Sequence, residues 1–379
     1  MGPLSGYKMI EIVGLGPCPF AAMMLADMGA EILRVDRPGG STGFVFPDPS
    51  VDFLARGRRN IGVDLKLPEG ISLLLRLLES CDALLEGFRP GVMERFGLGP
   101  EACLERNPRL VYGRMTGWGQ RGPLADAPGH DINYISLAGA LHHIGRAGAP
   151  PTPPLSLVGD FGGGGMLLAF GVLAALLERH NSGRGQVVDA AMVDGTALLM
   201  APFFGAEALG GWNERGTNLL DSGAPFYDVY ETADGKYISI GSLEPQFYAG
   251  LLRRVGLEAE DLVPQMDASG WPELRERLTE IFKSKTRDEW CEVMEGAQVC
   301  FAPVLPMKEA LEHEHNRARS TFVEVAGRKQ PAPAPRFSRT PPEISRPATA
   351  PGEDTDETLA QWGLSTDEVK ALRDGGVVG

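Results

Sequence analysis

The apolar run from Tyr7 to Val13 predicts a buried strand, Ala21 to Met28 a helix, and Glu31 to Val35 a second strand. Together they open a βαβ unit. The alternation continues with a helical stretch at Ile71 to Glu79, a short strand at Ala83 to Glu86, and another strand at Leu110 to Arg114 that enters a Gly117-Trp118-Gly119 turn. Elements alternating in this way predict an α/β fold with a mostly parallel sheet and helices on both faces. Met166 to His180 is the longest apolar helix, opened by the glycines after Asp160, and Val187 to Met192 closes the region.

From Phe226 the texture changes. Phe226 to Glu231 and Tyr237 to Ile240 flank Asp234-Gly235, a hairpin signal. Helical patterns follow at Pro245 to Val255, Trp271 to Lys283 and Arg287 to Glu295, which makes a smaller α+β domain, and Ala302-Pro303-Val304 leads out of it. The proline-rich stretch from Gln330 to Gly352 is expected to be extended.

Length and charge narrow the partners. A chain of 379 residues exceeds one ordinary core, so two domains are expected. The formal net charge of −14 argues against nucleic acid or an anionic membrane as partner, and an anionic substrate would need a local basic patch. Arg56-Gly57-Arg58-Arg59, with Arg37 and Arg89 elsewhere, supplies one. The five cysteines lack a C-x-x-C spacing and none has a histidine close in sequence, which fits reduced thiols without a catalytic task. Gly6 stands where a myristoylation signal needs Ser or Thr, and the run Met166 to Leu177 is too short to span a bilayer. A soluble cytoplasmic protein is the expectation.

Two cofactor signals fail. Gly14-Leu15-Gly16 after the first strand, with Asp36 ending the second, imitates a dinucleotide fingerprint, but the third glycine position holds Pro19. Neither His142-His143 nor the pair His313 and His315 shares a helical face, so no metal site is expected.

The candidate chemistry lies in Gly129-His130-Asp131-Ile132-Asn133-Tyr134 and in Gly159-Asp160-Phe161-Gly162-Gly163-Gly164-Gly165. A histidine and a carboxylate, each beside glycine-rich backbone that a substrate can approach, suit proton transfer. A plainer reading makes His130 a satisfied turn histidine and Asp160 the N-cap of the helix that the glycines open. The second of these is compatible with catalysis.

These segments resemble the α-methylacyl-CoA racemase branch of the family III CoA-transferase superfamily. The resemblance extends to Gly2-Pro3-Leu4-Ser5-Gly6, Val35-Asp36-Arg37-Pro38, Glu86-Gly87-Phe88-Arg89-Pro90-Gly91, Arg114-Met115-Thr116-Gly117-Trp118-Gly119-Gln120, Gly185-Gln186-Val187-Val188-Asp189-Ala190-Ala191-Met192, Glu244-Pro245-Gln246-Phe247-Tyr248 and Pro335-Arg336-Phe337-Ser338, nearly end to end. It implies a large Rossmann-like domain over residues 1–200 completed by 315–379, a linker at 201–224, a small α+β domain at 225–314, and an interlocked homodimer with the active site at the subunit interface. The implied reaction is epimerisation at C2 of 2-methylacyl-CoA thioesters by two-base proton transfer through an enolate, with coenzyme A as part of the substrate and no other cofactor. By analogy His130 deprotonates the 2S epimer and Asp160 the 2R epimer. The Asp131 main-chain N–H binds the thioester oxygen, its side chain being left open, and Glu244 orients the histidine. Arg37, Arg58, Arg59, Lys66 and Arg89 are candidates for the CoA phosphates, each also readable as a solvated surface charge, and Tyr227 for the acyl region, where a core role is the alternative. The competing reading is a CoA-transferase in which Asp160 is a covalent nucleophile. A catalytically idle CoA-binding scaffold is the third.

Overall fold

The computed structural model describes residues 2–40 and 48–379. The chain forms two compact units, one of Met1–Ala138, Leu155–Leu199 and Ala318–Gly379, the other of Gly139–Pro154 and Met200–Arg317. The second unit thus takes up 139–154 as well as the stretch expected to be a linker.

The first unit is built on β1 (Lys8–Ile12), α1 (Pro17–Asp27), β2 (Glu31–Asp36), β3 (Arg59–Gly62), α2 (Pro68–Leu78), β4 (Ala83–Glu86), α3 (Val92–Arg95), α4 (Pro100–Arg106) and β5 (Val111–Thr116). After α5 (Asp131–Leu137) come α6 (Leu157–Ser182), β6 (Val187–Ala191) and α7 (Met192–Leu199). All six strands are parallel, in the order β3-β2-β1-β4-β5-β6, the arrangement of a doubly wound Rossmann-type sheet. Both faces are covered, so the strands read as nearly continuous apolar runs: Ile10, Ile12, Leu84 and Tyr112 pack on one side and Met9, Leu85 and Val111 on the other.

The helix α6 begins as a ten-residue π-helical segment, Leu157–Met166, and continues as α-helix over Leu167–Ser182. Asp160 lies inside that wide turn, not at a cap, which corrects the N-cap expectation. The four glycines from 162 also act differently from the expectation of substrate approach. A Cβ on Gly163 would lie 2.7 Å from the Thr196 nitrogen, and one on Gly165 would lie 2.6 Å from the Pro17 carbonyl oxygen. They let this segment sit directly on α7 and α1. The apolar run judged too short for a bilayer belongs to a helix of 26 residues, Leu157–Ser182, long and apolar enough to cross one by length and composition. One face of it carries Leu168, Val172 and Leu176, buried against the sheet, while Met166, Phe170 and Leu177 are exposed.

The second unit contains α8 (Ala201–Ala208), then β7 (Tyr227–Glu231) and β8 (Tyr237–Gly241) as a hairpin turning at Gly235, whose φ of +70° suits glycine. The helices α9 (Pro245–Val255), α10 (Trp271–Phe282) and α11 (Arg287–Met294) follow. Phe226, Ile238, Leu251, Leu278, Phe282 and Trp290 form its core. Ala302-Pro303-Val304, expected to lead out, instead lies within a third strand, β9 (Phe301–Val304), antiparallel to β8.

Candidate active site

In this strand order the connections after β1 and β4 run to opposite sides, which leaves a crevice beyond their carboxyl ends. A cavity of about 620 Å³ opens there. Its walls include the β1–α1 turn at Gly14-Leu15-Gly16, the loop Gly87 to Pro90 after β4, and Thr116 and Trp118 after β5, with His130 and Asp160 facing into it.

His130 is the N-cap residue of α5 and is exposed, with its own N–H donated to Asn133 Oδ1 at 3.0 Å. Asp131 is the first helical residue, and its N–H belongs to the set that a helix leaves unpaired at its start. Its side chain, 5% exposed, turns inward, where Oδ1 accepts the Asp160 N–H at 2.8 Å. Asp131 therefore fixes the backbone of the second candidate acid while its own backbone borders the first.

The Asp160 carboxylate reaches over the β1–α1 turn: a Cβ on Gly16, whose φ is +63°, would meet Asp160 Oδ2 at 3.2 Å. Burial first, and then the negative charge of Asp131, push the Asp160 carboxyl up from 3.8 to about 6, against a lowering by His130. A carboxyl in that range takes and releases a proton near neutrality. Tyr134 closes the floor of the site. A Cβ on Gly117 would fall 2.0 Å from its ring, and Trp118 meets it edge-on at 4.7 Å between centroids. Burial and then Asp160 raise its phenol, and Arg89 lowers it, so the Arg89 guanidinium sits within electrostatic reach of the same pocket.

The basic candidates separate. Arg89 is exposed and lines the cavity. Arg37 is exposed just beyond β2, and Lys66 is exposed further along the chain; neither lines it. Arg59 opens β3 at its amino end and pairs with Glu357 at 3.2 Å. Arg58 is a correction. It is 1% exposed, its Nε lies 3.0 Å from the buried Glu11 carboxylate, and its guanidinium also donates to the Leu54 and Pro19 carbonyls. It is an interior cation and offers nothing to a phosphate. Glu244 and Tyr227 belong to the second unit, the first exposed immediately before α9 and the second exposed on β7.

Sequence reasoning passed over Asn133, Tyr134 and Trp118. Asn133, three residues after His130, carries the spacing of a reciprocal helix cap and was open to discovery from that alone. Among the described residues no group of three or more His, Cys, Asp or Glu side chains is placed to hold a metal ion.

The fold and the sequence have known counterparts. A CaiB/BaiF family protein from Brucella suis superposes with a TM-score of 0.83, covering 95% of this chain and 99% of that one; at 22% identity this shows a shared fold. The α-methylacyl-CoA racemase of Mus musculus is 46% identical over 379 residues, 99% of this chain and 97% of that protein. That of Homo sapiens is 44% identical over 373 residues, 97% of this chain and 96% of that protein. Residues 4–355 match the sequence profile of CoA-transferase family III, and with near full-length relatives and the parallel α/β sheet in agreement, the chain belongs to that family.

Proposed function

We propose that the protein epimerises 2-methylacyl-CoA thioesters at C2. The observation that carries the reading is the pairing of His130 with an Asp160 raised to about 6 on one cavity at the sheet's switch point. The α-proton of a thioester is weakly acidic, so removal needs a base, a proton donor for the opposite face, and donors toward the enolate oxygen. In one direction His130 takes the C2 proton of the 2S epimer, the electron pair passes to the thioester oxygen near the Asp131 N–H, and Asp160 returns a proton to the other face. In the other direction the roles reverse.

Nicotinamide has no part in this reading. The Asp160 carboxylate stands over the turn where a dinucleotide pyrophosphate would approach, and like charges oppose it. Metal has none either. The exposed row Met166, Phe170 and Leu177 supports a homodimer, since a second copy would cover that apolar face.

The test is incubation of one pure epimer in D₂O. Racemisation with deuterium entering at C2 is expected. Acyl transfer to a second acceptor without exchange at C2, with an acyl group trapped on Asp160, would establish the transferase instead.

A further inference from the structure

The loop that brings Arg89 to the cavity is tied at both ends to one side chain. It leaves β4 at Glu86 and enters α3, which carries Glu94, and Arg114 on the neighbouring β5 reaches both carboxylates. Its Nε donates to Glu86 Oε1 at 3.0 Å, and its Nη1 and Nη2 donate to Glu94 Oε1 and Oε2 at 2.8 and 3.3 Å. The other oxygen of Glu86 accepts the Phe88 N–H at 2.7 Å, which holds the loop's first residues from beneath.

Glu86 is 0% and Arg114 6% exposed. A buried ion pair of this kind returns little net stability over apolar packing, because both charges lose their water. A two-pronged guanidinium contact does fix direction. What these contacts fix is the path of Phe88 and Arg89 out of the strand. The Arg89 carbonyl accepts the Val92 N–H at 3.2 Å, while its guanidinium has no hydrogen bond to the protein among the described residues, and it lines the cavity near Tyr134.

Resting on the epimerase reading above, with Arg89, the candidate phosphate ligand that lines the cavity, taken to receive a phosphate of CoA, we propose that Arg114, clamped between Glu86 and Glu94, is a positioning residue that aims Arg89 at the anionic end of the thioester. Affinity for the CoA moiety then depends on the clamp, and proton transfer does not.

Glu94→Gln is the primary variant, because the Glu94 side chain is 43% exposed and its loss leaves the core intact. Arg114→Lys, which keeps the charge and loses the fork, is the second. Each is assayed alone and with Arg89→Ala, on a 2-methylacyl-CoA and on the same acyl group carried by pantetheine, which lacks the phosphates. The pH is held near 8, above the value of about 7 to which burial pushes the Glu86 carboxyl against Phe88 and Arg114. Each clamp variant should raise KM for the CoA thioester by about fivefold, leave kcat and the pantetheine thioester unchanged, and add nothing once Arg89 is alanine. An equal loss on both thioesters, or an undiminished loss beside Arg89→Ala, overturns the clamp. If Arg89→Ala alone leaves KM for the CoA thioester unchanged, the phosphate role of Arg89 fails and the clamp with it.

Discussion

Asp131→Asn isolates one charge in the proposed pair. The amide keeps an oxygen where Oδ1 accepts the Asp160 N–H at 2.8 Å and removes only the negative charge. That charge stands second to burial among the influences that raise Asp160 from 3.8 to about 6. At pH 7 a carboxyl titrating near 6 is protonated in about one molecule in eleven, and one near 3.8 in about one in 1,600, so the surroundings enrich the acid form by roughly a hundredfold. A neighbouring like charge moves a carboxyl by about one pH unit, so the substitution should lower Asp160 by about that or less and thin its acid form by up to about tenfold. The two directions of epimerisation use two tautomers of the same singly protonated His130–Asp160 pair. Because the equilibrium between epimers carries no proton, kcat/KM must follow one bell-shaped profile in both directions, with limbs that belong to the pair. A lower Asp160 delays the doubly protonated state, so the acid limb should move to lower pH by the same amount for 2S and for 2R. The assay is kcat/KM for each pure epimer between about pH 5 and about pH 9. An acid limb that stays in place, or one that moves in one direction only, would refute the reasoning.

Three further outcomes follow from the same structure. His130→Ala should lose interconversion but keep solvent exchange at C2 of the 2R epimer, and Asp160→Ala should show the reverse; NMR detection of deuterium wash-in reads both, and full racemisation by His130→Ala would end the two-base assignment. Arg58→Ala should cost about 3–5 kcal/mol in urea unfolding, since it leaves the Glu11 carboxylate, 0% exposed, without its cation. A raised KM for the CoA thioester with undiminished stability would instead return Arg58 to the list of phosphate ligands. Gly163→Ala should destabilise by about 1–3 kcal/mol, because the new methyl would press on the Thr196 nitrogen and the Gly195 carbonyl carbon, backbone atoms that yield little; an unshifted unfolding midpoint would remove the packing role given to that glycine.

Where local pattern decides structure, the sequence was readable. The strand Ala83–Glu86 and the helix Pro245–Val255 stand where their apolar residues put them, and Asp234-Gly235 turns the hairpin it announces. β3 was not readable: Arg59 and Asn60 open it, and its strand character comes from pairing with β2, which no local window contains. The glycine run after Asp160 signalled close approach correctly but not what approaches, because Thr196 and Pro17 are distant in sequence. His130 and Asp160 stood out as titratable groups set in glycine. The inward turn of Asp131, the burial of Arg58 against Glu11 and the reach of Arg114 to Glu86 and Glu94 depend on which face of a strand or helix meets which neighbour. Net charge and spacing hold no trace of that.

The edge strand β3 does not finish its hydrogen bonding with its own neighbourhood. Asn60 donates its N–H to Asp354 Oδ2 at 2.9 Å and accepts the Asp354 N–H at 3.0 Å, and the Gly62 N–H goes to Thr355 Oγ1 at 3.1 Å. Nearly three hundred residues, including all of 200–317, separate the two sides of that seam. During synthesis the sheet would emerge with a bare margin and hold it until the distant segment arrives, a period in which an open strand can pair with the wrong chain. Closing so long a loop is slow more than it is costly, since each doubling of length adds only about 0.6 kcal/mol of entropy. The order of assembly, rather than final stability, is therefore where this fold is exposed to aggregation.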